Sequence, residues 1–201
     1  MKITAIKQQV KRPDRYSIFV DGKFVFGLSE SALLQSKVYL GQEMEANEIE
    51  SLKDGATLDK AYQASLGLIA RRQRSHWEME TYLRRKGYEI ELIEKVMKKL
   101  IAKGYVDDTA FAKAWLDNRR LLKHISKQRL IQELRQKRVA DSIIDTVVAA
   151  DTEEDAHVLA ALVLRKRQQS RYKDDTKLMQ YLVRQGFRYE DVKAAVQDTI
   201  S

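Results

Sequence analysis

A chain of 201 residues with no cysteine and a single proline has room for one or two modest cores, and it excludes disulfides, thiol catalysis and cysteine-based zinc sites. Its formal net charge of +8 favours polyanionic partners. No apolar run approaches a bilayer span and the N-terminus lacks the charged-then-apolar order of a signal peptide, so a cytoplasmic protein is expected. The charge is uneven. Residues 1–56 hold eight Lys/Arg and eight Asp/Glu, and the remainder carries the whole excess.

Taken in chain order, "MKITAIKQQV", "RYSIFVD" and "GKFVFGL" read as short strands, β-branched or aromatic and partly alternating. Asp21-Gly22 between the last two predicts a type I′ hairpin, which needs positive φ at both central residues. Pro13 is placed between the first two runs, where it breaks no ladder. "SESALLQS" opens a short helix capped by Ser29, and "ANEIESLKDG" follows Gly41. Residues 1–56 are thus expected to form a small β-hairpin element with one or two helices, marginally stable alone.

From Thr57 the period becomes 3.6, and the pattern repeats. "SHWEMETYLRRKGY", "SKQRLIQELRQKRV" and "DDTKLMQYLVRQGF" each open on a capping residue, Ser75, Ser126 or Asp174. Each then places an apolar pair on one helix face: Met79/Leu83, Leu130/Leu134 and Leu178/Leu182. Gly87 and Gly186 suit a left-handed residue closing the helix, whereas Arg138 breaks this pattern and points to a different turn. Upstream first helices carry Tyr62/Leu66, Ala112/Leu116 and Val158/Leu162. Downstream third helices carry Ile93/Val96, Ile144/Val147 and Val192/Ala195. The predicted fold is mainly all-α: three tandem three-helix repeats over residues 57–106, 107–152 and 153–201, in an elongated curved array preceded by the β element. Thin, stacked cores of this kind offer contact area along their length rather than one deep pocket.

In "YVDDTAFAKAWLDNRR", Asp107 fits an N-cap, Val106 and Phe111 fit a hydrophobic staple, and Phe111 and Trp115 are i,i+4 neighbours. Helix initiation therefore accounts for Asp107 and Asp108 better than carboxylate catalysis, which would need a pocket and a partner. No phosphate-binding glycine loop is present, and His76, His124 and His157 stand far apart in sequence. No catalytic, cofactor-binding or metal-binding residue is expected. The tyrosines Tyr62, Tyr82, Tyr88, Tyr105 and Tyr181 read as packing first and base-stacking platforms second. Basic clusters recur between first and second helices: Arg71, Arg72 and Arg74; Arg119, Arg120 and Lys123; Arg165, Lys166, Arg167 and Arg171. These corners suit phosphates or an acidic protein groove, or else are solvated helix ends. Arg119 and Arg120 either meet the C-terminal helix dipole or point at a polyanion.

"KGYVDDTAFAKAWLDNR", preceded by "YLRRKGY" and followed by "RLIQELRQKRV", resembles the RecX family of bacterial recombination regulators. The resemblance is sharpest over residues 104–119 and extends over 57–201; the N-terminal segment adds little. The third repeat matches less well, since Glu153-Glu154-Asp155 replaces the double Asp and Ala161 stands where Trp115 does. The resemblance implies a non-enzymatic protein that binds in the helical groove of the RecA–DNA filament and bridges neighbouring protomers. It would thereby inhibit ATP hydrolysis, strand exchange and co-protease activity toward LexA-type repressors in recombination and SOS DNA repair. A monomer is expected, with weak, non-specific affinity for single- or double-stranded DNA. The ten basic residues above are the candidate RecA or DNA contacts, and Asp107, Asp108, Phe111 and Trp115 form the structural motif. The competing reading is a direct DNA-binding protein built of tandem helix-turn-helix-like units.

Overall fold

The computed structural model describes residues 1–198. Strands β1 (Ile3–Gln9), β2 (Arg12–Val20) and β3 (Lys23–Ser29) form an antiparallel sheet in sequence order. Asp21 (φ 46°) and Gly22 (φ 81°) make the β2–β3 turn with the positive angles its sequence demands. Pro13 is not between strands but inside β2. Gln9 pairs with Arg12 and Gln8 with Tyr16, so residues 13–15 bulge out of the ladder, and a missing N–H there breaks no pair. Gln8 Nε2 donates to the Pro13 carbonyl at 2.6 Å, closing the bulge.

Alternating residues Ile18 and Val20 on β2, and Phe26 and Leu28 on β3, form one apolar face. Helix α1 (Glu30–Ser36) and the first half of α2 (Ala46–Ile69) cover it, adding Ile49 and Ala56 to the same core. Ser29 caps α1 as expected, its Oγ accepting from Ala32 N–H at 3.2 Å. Asp59 of α2 binds the same residue, accepting from Ser29 N–H at 2.8 Å and Ser29 Oγ at 2.7 Å. Asp59 Oδ2 also lies 3.6 Å from the buried Arg15 guanidinium, so one carboxylate ties sheet, α1 and α2 together. The boundary expected between residues 56 and 57 falls inside α2, which is a single helix of 24 residues.

The remaining helices are α3 (His76–Arg85), α4 (Ile90–Ala102), α5 (Asp108–Leu122), α6 (Lys127–Gln136), α7 (Asp141–Ala149), α8 (Asp155–Arg167), α9 (Asp175–Arg184) and α10 (Tyr189–Asp198). A 3-10 turn, Ser170–Tyr172, joins α8 to α9. Three apolar clusters result, centred on Leu83, Leu134 and Leu182, each fully inaccessible. In the third cluster Val196 rather than Ala195 joins Val192 in the core, a spacing of four instead of three. Chain contacts divide the molecule into two units. The first takes Met1–Gln73 with Met79–Val106, and the second takes Arg74–Glu78 with the chain from Asp107 onward. The pair expected to act as a staple is divided between two cores, Val106 in the first cluster and Phe111 in the second.

The turn at Arg138 does not differ from its counterparts. Gly87 (φ 78°), Arg138 (φ 57°) and Gly186 (φ 94°) are all left-handed. Arg138 N–H donates to Arg135 O and Val139 N–H to Leu134 O, matching Gly87 to Arg84 O and Tyr88 to Leu83 O. An exposed arginine thus holds a conformation that costs an L-residue about 1–2 kcal/mol. Arg138→Gly is expected to stabilise the protein by about 0.5–1 kcal/mol after the extra chain entropy of glycine, read as a higher urea midpoint at constant m-value.

Candidate functional site

The double aspartate serves two helices. Asp107 caps its own, Oδ1 accepting from Thr109 N–H at 2.8 Å and Ala110 N–H at 3.0 Å. Asp108, the first residue of α5, accepts from His76 N–H at 2.7 Å, the first residue of α3. The same device recurs one repeat later. Asp155, the first residue of α8, accepts from Lys127 N–H, the first of α6, at 2.9 and 3.1 Å. Asp155 is therefore the counterpart of Asp108, and Glu154 stands where Asp107 does. Alongside, Ser75 Oγ donates to Lys137 O at 3.0 Å and Ser126 N–H to Gln185 O at 3.2 Å. The N-terminus of one second helix thus meets the C-terminus of the next, with dipoles and carboxylates complementary.

Two of the three cations of the middle basic corner are paired internally. Arg119 Nε donates to Glu133 of α6, and its guanidinium lies 4.3 Å from the Trp115 ring centroid. Trp115 Nε1 donates to the same carboxylate at 2.9 Å, and Lys137 lies over the indole while pairing with Glu78 at 2.7 Å. Arg120 is buried. Its Nη1 donates to Ile125 O at 2.7 Å, and its Nε and Nη2 donate to Asp151, both side chains being under one-tenth exposed. Both arginines lie in the last turn of α5, where cations meet the C-terminal helix dipole, and the side-chain carboxylates of Glu133 and Asp151 pair with them. Beside them His124 closes α5 with φ 53°, and burial, then Arg165, hold its pKa below the ordinary histidine value. Lys123 is the exposed cation of this corner.

The outer corners keep more charge at the surface. Arg71 and Arg72 are exposed and Arg74 is partly buried; Arg72 Nη1 donates to Gln73 O at 2.9 Å. Residues 164–173 hold five Lys/Arg and no acid. Among them Arg167 pairs with Asp175, while Arg165, Arg171 and Lys173 are exposed. Lys166 lies 4.7 Å from the Tyr181 ring centroid and 5.5 Å from that of Tyr172, and Arg171 lies 5.7 Å from Tyr172. The two tyrosine rings pack at 5.1 Å against the third core. An open groove of about 1040 Å³ in the second unit has an apolar floor of Ile131, Leu159 and Phe187. Asp155 on its rim is already bonded to Lys127.

Sheet, capped repeats and basic corners define a helical three-helix-repeat protein with an N-terminal β element. Three family models match it: the regulatory protein RecX N-terminal domain over residues 1–45, the first three-helix domain of RecX over 61–100 and the second over 107–148. The chain belongs to the RecX family, and the N-terminal segment takes part in that match. The regulatory protein RecX of Bacillus licheniformis is 28% identical over 98% of this chain and 77% of its own length. That of Listeria monocytogenes is 28% identical over 100% of this chain and 77% of its own. A crystal structure of regulatory protein RecX superposes with a TM-score of 0.70 at 28% identity, covering 98% of both chains. These relatives are named as regulatory proteins. Among the described residues no helix is long and apolar enough to cross a membrane.

Proposed function

We propose that the chain regulates a RecA-type recombinase by binding the RecA–DNA filament in its helical groove. Bridging neighbouring protomers there lowers ATP hydrolysis, strand exchange and co-protease activity. The supporting observation is family membership over the N-terminal domain and two helical domains, all of one regulatory family. The surface fits this reading. Exposed cations Arg71, Lys123 and Arg171 lie between first and second helices of the repeats, and exposed Arg165 lies in the last turn of α8, where they can meet phosphates or an acidic protein groove. The candidate set narrows accordingly, with Arg119 and Arg120 assigned to folding. The protein acts without catalytic residues, as a monomer, in the cytoplasm, and its affinity for bare DNA is weak and non-specific.

Direct binding tests this. A fluorescently labelled chain is titrated with RecA assembled on single-stranded DNA with a non-hydrolysable ATP analogue, and in parallel with the DNA alone. Filament binding at least about tenfold tighter than bare-DNA binding is expected, and the Arg165→Ala/Arg171→Ala variant should weaken it by several-fold. Equal affinity for filament and DNA, or sequence-selective binding to duplex, supports the helix-turn-helix reading instead.

A further inference from the structure

The sheet has two faces, and only one is used by the core. On the other, Phe19 of β2 pairs directly with Phe24 of β3, their rings meeting edge to face at 6.0 Å. Phe24 is 58% exposed. The Lys7 ammonium lies over the Phe19 ring at 5.3 Å. The next row of this face is low and polar. Ser17 pairs with Lys7 on one side and Gly27 on the other, and Gln9 Nε2 donates to Ser17 Oγ at 3.1 Å. A Cβ at Gly27 would sit 3.2 Å from Gln9 Nε2, so glycine keeps this row flat.

Charge is sorted across the element in the same sense. Residues 1–29 hold six Lys/Arg against two Asp, whereas residues 30–56, which supply helices to the inner face, hold six Asp/Glu against two Lys. Arg15 is buried against Asp59, and Lys2, Lys7, Lys11, Arg12 and Lys23 are all exposed. The near-neutral total of this segment hides a basic sheet on an acidic support.

We propose that the outer sheet face is a docking platform for single-stranded DNA. Phe24 and Phe19 stack unpaired bases, Lys7 holds a backbone phosphate, and Ser17 and Gln9 offer polar groups to base edges. Aromatic rings among cations on an open surface bind single strands without sequence preference, because every base has a π-face. A duplex keeps its bases stacked on each other and cannot use the rings. The site lies in the first unit and does not involve the basic corners of the repeats.

The test uses the full chain without RecA, so its outcome is separate from that of the filament reading. Binding of a fluorescent oligothymidylate and of a duplex of equal length is followed by anisotropy against salt. Phe24→Ala is expected to weaken oligothymidylate binding about tenfold, to leave duplex binding within about twofold, and to leave the thermal midpoint unchanged; Phe24→Trp should restore binding. Lys7→Ala should lower the slope of log affinity against log salt by about 0.7. The proposal is overturned if the chain does not bind the oligothymidylate, if Phe24→Ala binds it like wild type, or if single strand and duplex weaken together. Loss of filament binding in Phe24→Ala, with oligothymidylate binding intact, would assign the face to a protein partner and equally overturn it.

Discussion

Arg120→Ala will destabilise the second unit by about 3–5 kcal/mol, the cost of leaving one member of a buried ion pair behind. Arg120 and Asp151 side chains are 7% and 4% exposed, and Asp151 accepts two of the guanidinium's hydrogen bonds. Removing the cation strands that carboxylate and deprives Ile125 O of its donor at 2.7 Å. Arg120→Lys restores little, because an ammonium cannot serve Asp151 and the Ile125 carbonyl in the same fork. Replacing both partners, Arg120→Met with Asp151→Leu, should recover most of the loss, since no buried charge then remains. Urea unfolding of the single and double variants measures each value. A loss under about 1 kcal/mol in Arg120→Ala would mean that the pair is not coupled to folding, and would return Arg120 to the candidate contacts. Until then a defect of this variant in any RecA assay reports folding.

Gly186→Ala will destabilise by about 3 kcal/mol, combining left-handed strain with overpacking. Its φ is 94°, and a Cβ would lie 2.4 Å from Ser126 Oγ, 2.6 Å from Arg129 Cβ and 3.2 Å from Arg129 N. None of these can retreat cheaply. Ser126 Oγ caps α6 through Arg129 N–H at 3.1 Å, and Ser126 N–H donates to Gln185 O. Opening the gap breaks the lap between α6 and α9. Gly87→Ala separates the two causes: its φ is 78°, and nothing lies within 4 Å of its Cβ position. It should lose only the backbone part, about 1–2 kcal/mol. Equal losses at the two glycines, measured by chemical denaturation, would show that the close approach adds nothing.

What could be read from the chain was local. The caps Ser29, Ser75, Asp107, Ser126 and Asp174 accept the backbone N–H bonds expected of them, because a cap is decided within three residues. Leucines 83, 134 and 182 are buried because a helix stripe is decided within two turns. Asp21-Gly22 makes its turn for the same reason. Long-range partnerships were not legible. Nothing near Arg120 in sequence signals Asp151, 31 residues on, and Asp108 gave no sign that it bonds His76, 32 residues back. The continuity of α2 was hidden too. Ile49 and Ala56 face the sheet core, whereas Ala61 and Tyr62 face the helical one, so no single apolar stripe runs its length. Arg138 misled because glycine is preferred, not required, in a left-handed turn. The platform on the outer sheet needs three strands in register before Lys7, Phe19 and Phe24 come together.

Titrating the chain into RecA's single-strand-DNA-dependent ATP hydrolysis tests regulation of RecA most directly, with bare-DNA binding measured in parallel. Inhibition is predicted at concentrations well below those that coat the DNA, and the Arg165→Ala/Arg171→Ala variant should shift it to higher concentration while keeping its thermal midpoint. Hydrolysis that stays unchanged until the DNA is saturated would contradict the filament reading and reduce the effect to competition for DNA.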